Sequence, residues 1–329
     1  MRASQALASR FPWALPLSSF CFGALSFFLV QRSESLARYI ALIALAGWPW
    51  LLAEAWLGRW AVHRSGGALS IATVRFVTQQ IQQEILFFAL PMLVGATVLA
   101  PGQLLFVGAT ALIATLICID PIYQRWICPH AGISSALHAF CTFVAALVVL
   151  PVVLHLPLEK AFPLATGITA ISLLASLPRM LSTASDMRWK LIGISALPAS
   201  LALLWAAQSW VPPAGFWVQG ARISDHIDGL EPGAEITHIR VDDLKAHGAL
   251  AYVAVRAPLG LEQAVRFDWH HRQRRVDRIA AQIEGGVDTG FRTFSRKLNF
   301  PQDPTGDWRV DLRTPQGQLI ARMRFEVGD

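Results

Sequence analysis

The side chains best placed to do chemistry are ionisable groups in apolar surroundings, because a charge inside a bilayer is costly and is kept only where it has a partner or a task. Glu54, Glu84, Asp120 and His138 each lie in or at the end of a long apolar run. Arg75, Gln79 and Gln83 precede Glu84 at helical spacing, so one stretch of helix carries a cation, two amides and a carboxylate. This stripe either lines a cavity that grips a lipid head group or peptide, or is the wet face of a helix lying along the membrane boundary. Glu54 and His138 are deep enough for a proton or ligand relay. The alternatives are a carboxylate reaching the interface and a histidine hydrogen-bonded between packed helices.

A second set lies in the last third of the chain. Trp269, Arg272, Phe291, Arg292, Phe294, Arg296 and Lys297 either form a basic, aromatic-bearing face for an anionic glycan, lipid or protein, or are core aromatics and surface charges balanced by Asp268, Asp277 and Glu284. Phe291 and Phe294 are three apart and so face opposite ways in a strand. No cofactor or metal set is evident. Cys118, Asp120, Cys128 and His130 match no zinc spacing, and no nucleophile elbow or phosphate-cradling glycine loop occurs. A binding protein is therefore favoured over an enzyme.

The elements that must position these residues belong to two solvents. The 329 residues are 54% hydrophobic and 15% charged, too apolar for an ordinary soluble protein. Residues 1–210 hold twelve Lys and Arg against six Asp and Glu, whereas residues 211–329 hold sixteen of each. The net +6 thus belongs to the apolar part. That argues against nucleic acid as a partner and for anionic lipid. Apolar runs predict seven transmembrane helices, at 12–31, 36–57, 85–100, 103–119, 133–156, 162–178 and 191–210, with 71–84 as an interfacial helix. The first run is too long for a signal-peptide core and reads as a retained helix.

An odd number of crossings puts the two ends on opposite sides. Arg2, Arg10, Arg59, Arg64, Arg75, Arg125, Arg179, Arg188 and Lys190 fall on the side of the N-terminus, against Arg32, Arg38 and Lys160 on the other. The positive-inside rule then makes the N-terminus cytoplasmic and the C-terminal domain periplasmic, in a bacterial inner membrane.

After Pro212-Pro213 the apolar period changes to two. Strands are expected at 216–223, 235–240, 250–257, 263–271, 275–282, 290–297, 308–313 and 319–327, with no helix among them. So many short strands indicate an antiparallel sandwich of immunoglobulin-like architecture. The domains are then 1–210, a transmembrane helical bundle, and 211–329, an extracytoplasmic β-sandwich.

Gly290-Phe291-Arg292-Thr293-Phe294-Ser295-Arg296-Lys297, Gly306-Asp307-Trp308-Arg309-Val310, Gly317-Gln318-Leu319-Ile320 and Phe325-Glu326-Val327 resemble the signature of domain of unknown function 2914. Trp269-His270, Arg75-Phe76, Gln83-Glu84-Ile85-Leu86-Phe87-Phe88 and Ile119-Asp120-Pro121-Ile122-Tyr123 resemble its companion membrane family of unknown function 5924. The resemblance implies architecture and no activity. The functional expectation is an inner-membrane protein that presents its sandwich as a binding or assembly module, with an envelope protein, lipid or glycan as partner. The alternative is a polytopic transporter, lipid-handling protein or membrane enzyme built on the intramembrane polar residues.

Overall fold

The computed structural model describes residues 68–328, apart from 154–155, 184–185, 230, 257–262 and 287–289. Glu54 and the spans expected at 12–31 and 36–57 lie outside the described residues. The chain forms two compact units. The first holds Met1–Met92, Val107–Leu154 and Ala161–Ala206; the second joins Leu93–Phe106 and His155–Lys160 to Ala207–Asp329.

The first unit is helical. Its helices are α1 (Ala68–Gly95), α2 (Pro101–Cys118), α3 (Ala131–Val153), α4 (Leu158–Thr183) and α5 (Met187–Ala206). Helices α2 to α5 are long and apolar enough to cross a membrane; α1 carries the polar stripe and is not among them. The interfacial helix at 71–84 is not a separate element. It runs unbroken into the next apolar run as α1, because its glutamines are buried and so do not need the water that an interfacial position supplies. Proline inside α1 (Pro91), α3 (Pro151) and α5 (Pro198) is tolerated where neighbouring groups satisfy the freed carbonyls.

The second unit is β-rich. Its strands are β1 (Trp217–Ser224), β2 (Ile227–Asp228), β3 (Glu231–Pro232), β4 (His238–Arg240), β5 (Ala249–Arg256), β6 (Gln263–His271), β7 (Arg274–Gly286), β8 (Gly290–Lys297), β9 (Gly306–Arg313) and β10 (Leu319–Gly328). Eight of them form one ladder in the order β1, β5, β8, β7, β6, β9, β10, β4, and β2 pairs with β3. Strand β7 joins two halves of the ladder: its length up to Ile283 pairs with β6 and its last three residues pair with β8.

Two features depart from a purely antiparallel, helix-free sandwich. Strand β4 pairs with β10 in parallel, a direction that alternation of side chains does not encode. Between β4 and β5, Val241–His247 forms a helix, α6, with Asp242 and Asp243 in its first turn and Lys245 and His247 in its last. Those charges suit the helix dipole, and Gly248 at φ 75° ends the helix.

One apolar core serves the whole ladder. Val265, Phe267 and Trp269 of β6, Trp308, Val310 and Leu312 of β9, and Met323 and Phe325 of β10 meet Ala251, Val253 and Val255 of β5. Trp308 stacks on Phe325 with centroids 5.9 Å apart, and its indole N–H donates to Pro304 O at 2.7 Å. The residues drawn from the helix turns belong to this unit as well. Leu158 joins its core, and Gln103 Nε2 donates to Leu319 O at 2.8 Å. A methyl group at Gly95 would overlap the Trp217 indole, and one at Gly102 the Trp210 indole.

Candidate functional site

The polar residues of the helical unit come together only in part, and a proline explains why. In α2 the carbonyl of Ile117 would accept from the N–H four residues on, but that residue is Pro121, which has none. An orphan carbonyl in apolar surroundings costs several kcal/mol. Gln79 and Gln83 of α1 resolve it: their Nε2 groups donate to Ile117 O at 2.9 and 3.1 Å. Gln79 Nε2 also donates to Asp120 Oδ1 at 2.9 Å. Beside them the Tyr123 hydroxyl donates to Gln82 Oε1 at 3.1 Å, at the start of a π-helical turn, Tyr123–Ile127.

Gln79, Gln82 and Gln83 are all buried, which overturns the solvated-face alternative for the amides. Arg75 is exposed and Glu84 half-buried, so the stripe divides into a wet end and a dry one. His138 is buried on α3, where Thr142 Oγ1 donates to its carbonyl at 2.8 Å. One acceptor, Gln83 Oε1, is buried without a hydrogen-bond partner. The chemistry on view is that of helix cross-linking by neutral amides.

Of the partner face expected in the β unit, Arg292, Phe294 and Arg296 share the outward side of β8, while Trp269, Phe291 and Lys297 turn inward. Trp269 and Phe291 are core residues, 0% and 4% exposed, because β6 and β8 turn their odd-numbered residues inward. Lys297 is buried by the same alternation and its ammonium meets Asp277 at 2.6 Å. That contact holds the Asp277 carboxyl below the usual carboxylate range. Arg292, Phe294 and Arg296 point the other way, but Arg292 pairs with Glu231 at 3.5 Å and Arg296 donates to His247 O at 3.1 Å. Arg272 lies apart, on the β6–β7 turn, paired with Asp303 at 3.0 Å.

A charged face does exist, on different residues. Opposite the core, strands β7, β6, β9 and β10 carry three rows of side chains set by register. The central row is Arg278, Asp268, Asp311, Arg322. One flanking row places Arg266 against Arg313; the other places His270 against Arg309 and Arg309 against Arg324. Asp311 is fully buried and accepts from Arg322 Nε (2.7 Å), Arg322 Nη2 (3.0 Å) and Arg313 Nη2 (2.8 Å). Burial raises its pKa, and the hydrogen bonds from Arg322 and Arg313 outweigh that, leaving it below the usual value. Asp268, also buried, accepts from Arg278 Nε at 2.8 Å. Asp307 and Glu326, opposite one another at the next position along β9 and β10, share this face, so six arginines face four carboxylates and the surplus is two positive charges.

The Arg309–Arg324 row lies between the Asp311 row and the Asp307–Glu326 pair. Arg309 Nε has no hydrogen-bond partner and stands 3.6 Å from Asp311, while Arg324 has no hydrogen bond or ion pair among the described residues. Burial and then the charge of Arg309 push the His270 imidazole below its ordinary pKa. Burial lowers Arg309 as well, with Arg322, Arg313 and Arg324 adding to that effect. These residues were legible as three triplets of period two, Arg266-x-Asp268-x-His270, Arg309-x-Asp311-x-Arg313 and Arg322-x-Arg324-x-Glu326, each placing charge on one face of a strand.

Elsewhere in the helical unit, α3, α4 and α5 border an open apolar pocket of about 240 Å³ lined by Ala139, Phe143, Thr169, Leu173 and Gly193 among others. Among the described residues no three His, Cys, Asp or Glu side chains converge as metal ligands.

This architecture defines a protein with several helices long and apolar enough to span a membrane, followed by a β-rich region. The chain belongs to the family of unknown function DUF5924, whose family model matches residues 1–251, and residues 262–327 match the protein family of unknown function DUF2914. No curated protein and no solved structure matches it. The two families meet inside the β unit. Strands β1 and β4, the two rims of the ladder, lie in the first match, and β6 to β10 lie in the second.

Proposed function

We propose that the chain is an inner-membrane protein of seven crossings that presents its β unit in the periplasm as a binding or assembly module. The seven are α2 to α5, the apolar run expected at 85–100, which begins inside α1, and the two spans expected upstream. The excess of Arg and Lys in alternate loops supports a cytoplasmic N-terminus. A sandwich of immunoglobulin-like type agrees with the single shared core and with a β7 that leaves one half of the ladder for the other.

The observation that carries the binding role is a surplus of two positive charges on the outer face of β7, β6, β9 and β10, in a domain whose Lys and Arg equal its Asp and Glu overall. Surplus charge costs stability through self-repulsion and is explained by an acidic partner. The transporter or enzyme alternative is weaker, since the donors of Gln79 and Gln83 are already spent on a backbone carbonyl.

The test has two arms. A periplasm-active phosphatase fused after Asp329 should be active, and a cytoplasm-only reporter inactive; the reverse would refute the orientation. A photoreactive residue at position 324 should cross-link to an envelope component in intact cells, whereas one at Gln273, on the turn outside the face, should not. Equal adducts at both, or none at 324, would refute the binding role.

A further inference from the structure

Resting on the crossing helices of that reading, we infer that the open apolar pocket between α3, α4 and α5 is a binding site for one acyl chain of a membrane phospholipid. Each helix lends the pocket a single face about three turns long. The faces run from Gly132 to Phe143 on α3, from Thr169 to Met180 on α4 and from Gly193 to Leu204 on α5, with lining residues recurring every three or four positions. At 1.5 Å per residue the pocket is a slot about 16 Å long. On α3 it reaches from the second residue to the middle of the helix, and on α4 from the middle to the last turn. That is the depth of one leaflet, half of a hydrocarbon core about 30 Å thick.

Small residues line the slot without drawing its helices together. Glycine at a helix interface ordinarily lets backbones approach closely, yet a Cβ added at Gly132 would meet nothing within 4 Å, and one at Gly193 only Met180 Cε at 3.9 Å. The wall offers little to a polar ligand. Thr169 Oγ1 donates to Ala165 O at 2.7 Å and Ser200 Oγ to Leu197 O at 2.9 Å, each within its own helix. An apolar space without convergent polar partners does not hold ordered water. A flexible hydrocarbon chain fills it through dispersion contacts with the walls.

Shape and charge favour a phospholipid as the occupant. About 240 Å³ spread over about 16 Å leaves a cross-section of about 15 Å². That admits a hydrocarbon chain and is too narrow for a helix about 10 Å across, whether from a second copy or from the runs at 12–31 and 36–57. At the boundary end, where α3 and α5 begin and α4 ends, Trp126 and Trp189 are 67% and 60% exposed and suit the headgroup layer. Arg188 and Lys190 flank Trp189 and outnumber Asp186, so that end of the slot complements an anionic phospholipid.

The experiment uses the full chain, purified from membranes in a neutral detergent that strips bulk lipid, with a photoreactive residue at position 193 or at position 194, where Ile194 is exposed outside the slot. Illumination should join position 193 to a phospholipid through its acyl chain, with at least tenfold less adduct from position 194. Native mass spectrometry of the parent should find one retained phospholipid. The double variant Gly132→Leu, Gly193→Leu should retain at least tenfold less, and Gly108→Leu, which also enters open space but away from the slot, should retain it fully. Stripped of lipid, the double variant should unfold no earlier than the parent, since its new side chains enter open space. Four outcomes would overturn the proposal. They are equal adducts at 193 and 194, retention unchanged by the double variant, a lower midpoint for the stripped double variant, and adducts from 193 to a second copy or to residues 1–67 in place of lipid. A chain that stays in the membrane yet retains no phospholipid sinks the slot alone, whereas a chain recovered in the soluble fraction refutes the crossing reading beneath it.

Discussion

The two units bury polar groups in opposite ways. The helical unit uses neutral amides: Gln79 and Gln83 quench a carbonyl that Pro121 leaves open, and no charge need be created in apolar surroundings. The β unit uses ions, with Asp268 and Asp311 sunk beneath arginines whose far ends reach water. The difference follows from the solvent on the outer side. A guanidinium that keeps part of its surface wet pays only part of the desolvation penalty. A buried amide that meets a carbonyl pays little in either solvent.

The strongest way to break this comparison is Asp311→Ala. It should destabilise the β unit by about 3–5 kcal/mol, because Arg322 and Arg313 lose their shared acceptor. Denaturant unfolding followed by tryptophan fluorescence would show it, and a loss below about 1 kcal/mol would mean the grid behaves as ordinary surface charge. Next in size, the double variant Gln79→Leu, Gln83→Leu should cost about 1–3 kcal/mol, the penalty of one buried acceptor left open. Restoring a donor with Pro121→Ala in that background should recover much of it. Failure to recover would show that the glutamines serve something other than the Ile117 carbonyl.

Acid separates the two units in a third way. The Asp311 and Asp277 carboxyls are held below the usual range in the folded state. Their stabilisation is therefore complete above the unfolded value near pH 4, and it drains away as pH falls through the lower folded values. As pH falls below about 4 the near-ultraviolet dichroism of the β unit should fade while the helical signal at 222 nm persists; simultaneous loss of both would contradict the contrast. The smallest effect belongs to Arg272→Ala. Its ion pair with Asp303 leaves both side chains more than half exposed, so the midpoint should not move measurably.

Much of the architecture was legible because its periods are strong. Strands β6 and β8 have the bounds that alternation predicts, 263–271 and 290–297. What escaped depended on partners far along the chain. Nothing local announces that Gln79 will meet Ile117, so an amide stripe reads as wet until the helix across from it is known to end at a proline. Trp269, Phe291 and Lys297 read as a face only while their inward alternation is ignored. The arginine grid shows the converse, since each triplet is ordinary by itself and only the order β7, β6, β9, β10 turns them into rows.

The rims of the ladder also set a timetable. Strand β1 can pair only with β5, and His238, Ile239 and Arg240 of β4 pair with Glu326, Val327 and Gly328. The second rim is made early in synthesis and waits some ninety residues for its neighbour. Such long-range pairing is slow and leaves strand edges open meanwhile. The nascent β unit therefore stays unfinished until β10 is made, and a chain released a few codons before β10 leaves β4 without its partner and one edge of β9 open.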